Sequence, residues 1–119
     1  MQIRSKGDVM LVTVEGKWDK GTATQARHKT SSMATRDGFK AMLIDLRNAQ
    51  VLMSVTDIVE LTPYLKEDFP HGFRHALVVP DDSVLSENTR FAENLAVNNG
   101  INLRMFSDYE KAISWLAGE

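Results

Sequence analysis

Short apolar runs alternate along the chain with longer segments in which apolar residues recur at helical spacing. The runs lie at residues 9–14, 41–46 and 75–79, and each is nearly continuous. Such runs are typical of strands that are buried on both faces of a sheet. Residues 101–106 instead alternate apolar and polar positions, which predicts a half-exposed strand at a sheet edge. We expect residues 2–5 to pair with the first run as a hairpin.

The first segment between strands predicts a helix from about residue 19 to residue 36. Its apolar stripe consists of Ala23, Ala26, Thr30, Met33 and Ala34. We assign His28, together with Arg27 and Lys29, to the solvated side of this helix. Gly38 is expected to end it, because glycine adopts the left-handed conformation of a helix C-terminus at little cost.

The second helix is predicted to start at Ser54. Pro63 lies within its apolar pattern and is expected to end or kink it, because proline lacks the backbone N–H and clashes with the preceding turn. Thr62 would then cap a fresh turn that has Pro63 at its first position.

Two further helices follow the third and fourth strands. Residues 83–99 predict a helix that buries Phe91, Ala92 and Leu95. The last helix is predicted to begin at Ser107, because Ser107 and Glu110 match the capping-box pattern.

These elements predict an α/β fold with a single domain over residues 1–119. Strands that are separated by helices imply a mostly parallel sheet with right-handed crossovers. We expect four or five strands, an N-terminal hairpin and four helices. The three continuous runs should lie at the centre of the sheet, with the strand at residues 101–106 towards its edge.

Composition narrows the classes of function. The chain has 119 residues, of which 25% are charged, and its net charge is only −2, so no basic excess would direct it to nucleic acid. No apolar run approaches the roughly 20 residues of a membrane span, and the N-terminus lacks the pattern of a signal peptide. Cysteine is absent, which excludes disulfides and thiolate metal sites and favours a cytoplasmic protein.

The motifs of common enzyme classes are missing from the sequence. There is no glycine-rich phosphate loop and no nucleophile elbow, and no pair of carboxylates stands out as acid and base. We therefore expect a protein that is not an enzyme and that uses no cofactor.

Two kinds of polar residue in or near the strands need a separate explanation. His71 and His75 are four residues apart, but Pro70 and Gly72 interrupt any helix there. No third ligand is evident, so we expect no metal site. Asp45 interrupts an apolar strand, and it must lie at the end of that strand or be hydrogen-bonded, since burial of a bare charge is costly.

Met53 and Ser54 lie where the second buried strand gives way, through a short loop, to a helix. In open α/β sheets, ligands and partners gather at such strand ends. Ser54 and Asp57 match a helix N-cap pattern, and such a cap stabilises by about 1 kcal/mol. A helix start would also favour a phosphate on the Ser54 hydroxyl, although Asp57 would oppose it. A cap and a phospho-acceptor are both open interpretations of Ser54.

Three segments resemble a known family. Residues 16–23, Gly-Lys-Trp-Asp-Lys-Gly-Thr-Ala, resemble the stretch that leads into the first helix of STAS domains, the fold of anti-sigma-factor antagonists. Residues 43–46, Leu-Ile-Asp-Leu, are similar to the next strand of that family. Residues 104–116 resemble the ending of its SpoIIAA-like branch, which is similar in fold to the lipid-binding SEC14-type domains.

The resemblance implies a role for Ser54. Counted without gaps, residues 53–54 fall on the Asp-Ser pair whose serine is phosphorylated by a partner kinase in the antagonists. Met53 stands in place of that aspartate, and Thr56 stands near a position that is often glycine. The resemblance therefore implies a non-enzymatic regulatory or protein-interaction module with a degenerate phospho-switch. Its partner would be another protein, such as a kinase or a sigma-factor regulator, and a homodimer is expected from the small sheet.

Two locations for function follow. The predicted interaction surface consists of Trp18, Asp19, Met53, Ser54 and Asp57. Trp18 would anchor a partner if it is exposed, or would lie at the edge of the core if it is not. The alternative function is binding of a lipid or other apolar small molecule in a pocket between the sheet and the second helix. The predicted lining of that pocket is Val51, Leu52, Met53, Tyr64 and Phe69. A dry cavity of a few hundred Å3 would support this alternative.

Overall fold

The computed structural model describes residues 1–80 and 87–118. The strands are β1 (Gln2–Lys6), β2 (Val9–Thr13), β3 (Gly16–Trp18), β4 (Ala41–Asp45), β5 (Ala49–Val51), β6 (Arg74–Val78) and β7 (Asn102–Phe106). The described helices are α1 (Lys20–Asp37), α2 (Val55–Glu67), α3 (Glu87–Asn98) and α4 (Tyr109–Leu116). The predicted start of the third helix, at residue 83, lies outside the described residues.

Five strands form one sheet in the order β1-β2-β4-β6-β7. The hairpin of β1 and β2 is antiparallel, and the other three pairings are parallel. The structure confirms the predicted hairpin, the central position of the three continuous runs and the edge position of β7. A second small sheet pairs β3 with β5 in parallel, with Gly16 opposite Ala49 and Trp18 opposite Val51. Nothing in the apolar pattern predicted this second sheet.

The five-stranded sheet has helices on both faces, which is why β4 is buried along its whole length. Met42 and Ile44 belong to one core cluster, to which α1 contributes Ala26 and Ala34. Leu43, which lies between them in sequence, belongs to a second core cluster, to which α4 contributes Ala112 and Leu116. Successive side chains of a strand point to opposite faces, so one apolar run supplies both cores. We call these the α1 face and the α4 face of the sheet.

The α1 helix begins and ends as the sequence predicts. The carboxylate of Asp19 accepts a hydrogen bond from the backbone N–H of Thr22 at 2.9 Å, and Thr22 Oγ1 accepts one from the N–H of Asp19 at 2.8 Å. Gly38 ends the helix with φ of 74°, a left-handed conformation that glycine adopts without the strain of a side chain.

Of the two effects expected of Pro63, an end or a kink, the end is wrong. The α2 helix continues without interruption to Glu67. Thr62 does not cap a new turn, because its buried hydroxyl donates back to the carbonyl of Ile58 at 2.6 Å. Pro63 has no N–H to donate to the carbonyl of Val59, yet the helix runs through this position.

The last two helices bring further corrections. The N-cap of α4 is Asp108, one residue after the predicted Ser107, and its side chain accepts from the N–H groups of Glu110 and Lys111 at 2.9 and 3.2 Å. Aspartate and serine are comparable N-caps, so the pattern alone did not distinguish them. In α3, Ala92 is buried, but Phe91 is 36% exposed and lies on the outer side of the helix.

A search of the described residues for membrane-spanning helices found none that is long and apolar enough.

Candidate functional site

Ser54 lies at the surface, where β5 leads into α2. Its hydroxyl accepts a hydrogen bond from the N–H of Asp57 at 3.1 Å, and the carboxylate of Asp57 accepts one from the N–H of Ser54 at 3.1 Å. This reciprocal capping box fixes the start of the helix. Ser54 itself is exposed, so its hydroxyl is accessible as well as bonded. The predicted cap is confirmed.

An exposed apolar strip flanks Ser54 on both sides in sequence. It consists of Val51, Leu52, Val55 and Val59, whose exposed fractions are between 41% and 47%. Val55 and Val59 are four residues apart on α2 and therefore lie on the same side of it. Large exposed apolar side chains that lie near each other are typical of surfaces that contact another molecule, and Val55 and Val59 meet this condition through their helical spacing.

The five predicted surface residues divide between the surface and the core. Trp18 is only 7% exposed and belongs to the α1-face core, so an exposed anchor at this position is wrong. Asp19 is occupied as the cap of α1, and Met53 is half-buried against the same core. Ser54 and Asp57 are brought together by the capping box. Ser54 is thus the most accessible member of the set.

A cavity of about 320 Å3 lies on the α1 face of the sheet. Its floor is formed by strand side chains that include Met42, Ile44, Leu77 and Met105. Its walls come from three helices, with Ala26 on α1, Leu61 on α2 and Ala92 on α3 among them. The volume is at the lower end of the range of about 300–1,000 Å3 that is common for ligand pockets.

The predicted lining of the pocket is correct in part. Val51, Met53 and Phe69 line the cavity, but Leu52 and Tyr64 do not. Leu52 and Tyr64 are 45% and 43% exposed. The apolar pattern located the region, but it did not show which side of the loop and of α2 turns inwards.

Arg27 lines the cavity as well, although we assigned it to the solvated side of α1. Its side chain is only 10% exposed. Nε lies 3.1 Å from a carboxylate oxygen of Asp68, and the guanidinium lies over the ring of Tyr64 at 4.2 Å from its centroid. The sequence held a signal for this position, since Arg27 follows Ala23 by four residues and lies beside the apolar stripe.

His75 is the other titratable side chain in the described lining of the cavity. It is 2% exposed and packs against the rings of Phe69 and Phe73, with centroids 4.7 and 4.9 Å away. Burial lowers the pKa of His75 to about 4, although a hydrogen bond with the backbone of Leu65 acts in the opposite direction. The imidazole is therefore neutral at pH 7. His71 is exposed, and a search of the described residues found no group of metal ligands.

Asp45 lies at the C-terminal end of β4 and is hydrogen-bonded, as predicted. Its carboxylate accepts bonds from Nε and Nη2 of Arg47 at 3.0 and 2.8 Å, and from the Arg47 backbone N–H at 3.1 Å. The Arg47 guanidinium thereby holds the pKa of Asp45 below its usual value, against the opposing effect of burial. The pair lies at the C-terminal end of β4, and its carboxylate is ionised near pH 7.

Comparison with solved structures identifies the fold. An anti-sigma factor antagonist from Mycobacterium paratuberculosis matches with a TM-score of 0.63 and 16% identity, over 98% of this chain and 92% of that one. The anti-sigma factor antagonist SpoIIAA in its unphosphorylated form matches with a TM-score of 0.64 and 16% identity, over 99% and 98%. An uncharacterised protein with a SpoIIAA-like fold from Shewanella loihica matches with a TM-score of 0.56 and 20% identity, over 97% and 90%.

The chain therefore has a SpoIIAA-like fold, as the resemblance predicted. No family model matches the sequence, and no curated protein matches it. Because the identities are low, these likenesses concern the fold, and the site must be argued from its own residues.

Proposed function

We propose that the protein is a regulatory module that binds another protein through Ser54 and the apolar strip of Val51, Leu52, Val55 and Val59. The observation that carries the proposal is the exposure of these four apolar side chains next to an accessible hydroxyl. The shared fold with two anti-sigma factor antagonists supports a partner that is itself a regulatory protein, such as a kinase or a sigma-factor regulator. No catalytic step is part of this proposal.

Ser54 would act as the switch of this surface. A phosphate on its hydroxyl would place negative charge beside the apolar strip and next to the Asp57 carboxylate. It would also compete for the N–H group of Asp57, which the unmodified hydroxyl binds at 3.1 Å. We expect phosphorylation to weaken the binding of a partner that covers the strip.

The test compares substitutions of exposed valines on two different helices. Val55 and Val59 are 46% and 47% exposed on α2, whereas Val97 is 65% exposed on α3. We expect Val55→Ser together with Val59→Ser to lose a defined protein partner in quantitative affinity capture, whereas Val97→Ser retains it. Equal retention of every captured protein by both variants would overturn the proposed surface.

Ser54 is tested in the same capture experiment, together with phosphoproteomics of the protein from its own cells. We expect Ser54→Asp to release the partner and Ser54→Ala to retain it. If both variants hold every partner as the wild type does, the switch is wrong even where the binding surface is right. A second copy of the chain is a further partner for the strip, and light scattering of the wild type and the double valine variant would reveal it.

A second function is favoured by a separate observation, the cavity of about 320 Å3 on the α1 face. We propose that it binds an apolar small molecule. Native mass spectrometry of the protein purified from its own cells should then show a bound mass that is lost on denaturation. A homogeneous apo mass, with no displacement of a fluorescent apolar probe, would contradict this function.

A further inference from the structure

The apolar strip and the cavity on the α1 face are formed in part by the same segment of the chain. Val55 and Val59 of the strip are 46% and 47% exposed on α2. Ile58, which lies between them in sequence, lines the cavity. Met53, directly before the N-cap of α2, lines the cavity as well. We call residues 51–59 the shared wall, because side chains of this segment belong to each of the two proposed sites.

Two direct connections join the cavity to the strip. The side chain of Val51 belongs to both, since it is 41% exposed and also lines the cavity. Trp18, opposite Val51 in the sheet of β3 and β5, lines the cavity too. Its backbone carbonyl accepts a hydrogen bond from the N–H of Leu52 at 2.9 Å. A molecule that contacts Trp18 and Val51 from within the cavity therefore acts on residues that hold the strip in place.

The shared wall has weak support on its inner side. The sheet of β3 and β5 has only two strands of three residues each, and a two-stranded sheet of this kind is marginally stable by itself. Met53 and Ile58 are only half-buried, and they face space rather than a packed core. Side chains beside a void lose the dispersion contacts that a filled core supplies. Segments with few buried contacts open locally at low free-energy cost, so an occupant of the cavity would stabilise this segment in particular.

The chemistry of the described lining favours an uncharged occupant. The guanidinium of Arg27 is paired with Asp68 and lies over the ring of Tyr64, and neither of these partners lines the cavity. His75 is neutral at pH 7, because burial lowers its pKa to about 4. Among the described residues, no carboxylate lines the cavity. An ionised group in this space would lose its hydration without gaining a partner of opposite charge.

We propose that an uncharged apolar molecule in the cavity orders the shared wall and thereby strengthens the binding of a protein partner to the apolar strip. This inference rests on both proposed functions, and it specifies how the small molecule regulates the protein surface. A partner that covers the strip must immobilise the shared wall when it binds. A molecule that has already ordered this segment removes part of that cost, so the two binding events assist each other.

The first experiment measures hydrogen exchange of the full chain with and without 1-octanol, a small uncharged apolar probe whose binding is measured by calorimetry. Labelling times of seconds to minutes report local opening. At about ten times its Kd, the probe should slow exchange in the shared wall by about fivefold to tenfold, because the open form does not bind it. Helix α4, on the other face of the sheet, should exchange as it does without the probe.

Two matched substitutions locate the effect. Ala92→Leu places extra atoms at the wall of the cavity, so it should weaken the binding of 1-octanol and remove the protection of the shared wall. Ala117→Leu adds the same atoms at an exposed position after α4, and it should behave as the wild type. Circular dichroism melting curves verify that both variants are folded.

The second experiment titrates the partner that the strip captures against the protein with and without 1-octanol. We expect the partner to bind at least about fivefold more tightly when the cavity is filled. The probe should give no such gain with Ala92→Leu, which serves as the control for effects of 1-octanol on the partner itself.

The outcomes separate this inference from the functions on which it rests. If 1-octanol binds but exchange of the shared wall is unchanged, or if the partner does not bind more tightly, the coupling is wrong while the cavity remains a binding site. Absence of 1-octanol binding to the wild type would overturn both the coupling and the small-molecule function. Failure of the protein surface is detected separately, by the comparison of the Val55 and Val59 variant with Val97→Ser.

Discussion

The two faces of the sheet differ in how completely side chains fill the space under the helices. On the α4 face, Leu43 and Val78 pack against Ala112 and Leu116, and all four are at most 7% exposed. On the α1 face, three helices surround a cavity of about 320 Å3. Small residues on the inner side of two of those helices, Ala26 and Ala92, keep that space open.

The difference shows that one apolar pattern serves two purposes. Successive side chains of β4 point to opposite faces of the sheet, so the same strand supplies apolar side chains to the core on each face. The filled face stabilises the fold, because close-packed apolar atoms gain both burial and dispersion contacts. The open face gives up some of that stability and leaves room for a ligand, and it also holds the buried Arg27 and His75.

The largest expected effect is on the filled face. Leu43→Ala should lower the free energy of unfolding by about 2–5 kcal/mol, because it removes a side chain that is 1% exposed and leaves a cavity. Urea denaturation measures this change. Leu52→Ala is the control, because Leu52 is 45% exposed, and its effect should stay within about 0.5 kcal/mol. Similar losses from both would contradict the assignment of the filled core.

The next effect is a pH dependence that belongs to the open face. His75 has a folded pKa of about 4, below its unfolded value of 6.5, so the unfolded chain binds the proton more strongly. The contribution of His75 to the free energy of unfolding is therefore fully present above pH 6.5. It is lost as the pH falls towards 4, and the full shift corresponds to about 3 kcal/mol.

His75→Gln should remove most of that pH dependence between pH 6.5 and 4. His71→Gln, which changes an exposed histidine nearby in sequence, should leave it as in the wild type. Urea denaturation at a series of pH values gives both comparisons. If the two variants lose stability in parallel with the wild type as the pH falls, His75 is not the group that titrates.

The same substitution on both faces tests the comparison directly. Ala112 is 0% exposed on the filled face, so Ala112→Leu should cost about 1–3 kcal/mol through overpacking. Ala92→Leu adds the same atoms at the cavity wall, where there is room for them, and should leave the free energy of unfolding within about 0.5 kcal/mol or raise it. Equal costs in denaturation experiments would mean that the two faces are packed alike.

The smallest effect concerns the two predicted serine caps. Ser54→Ala should lower the free energy of unfolding by about 1 kcal/mol, because the N–H of Asp57 loses its acceptor. Ser107→Ala should have a smaller effect, since Asp108 performs the capping of α4. If Ser107→Ala lowered the free energy of unfolding as much as Ser54→Ala, Ser107 would be the N-cap of α4, as the pattern predicted.

The sequence predicted the elements that depend on local or periodic signals. The buried strands and the edge strand β7 follow from whether apolar residues are continuous or alternate. The ends of α1 follow from Asp19 and Gly38, whose side chain and backbone satisfy the helix termini by themselves. Local rules did not predict which of two good N-cap residues, Ser107 or Asp108, caps α4. They also did not predict that α2 continues past Pro63.

The site depends on tertiary structure to a greater extent. Ser54 was identified because a cap is a local arrangement of residues three apart. The burial of Trp18 and the outward position of Leu52 and Tyr64 depend on how β3, β5 and α2 pack, and these packings join segments that are distant in sequence. The role of Arg27 depends on Asp68 and Tyr64, which lie about forty residues away along the chain.

The sequence alone determined the order of the helices and of the strands in the five-stranded sheet, the mostly parallel pairing of that sheet and the location of a capped hydroxyl at the start of α2. Each of these depends on periodicity or on residues within one turn of each other. Only the tertiary structure decided that one face of the sheet is closely packed and that the other has a partly open cavity, with the buried side chain of Arg27 in its wall. That outcome depends on how the volumes of side chains from three helices and five strands combine, and no local pattern records such a sum.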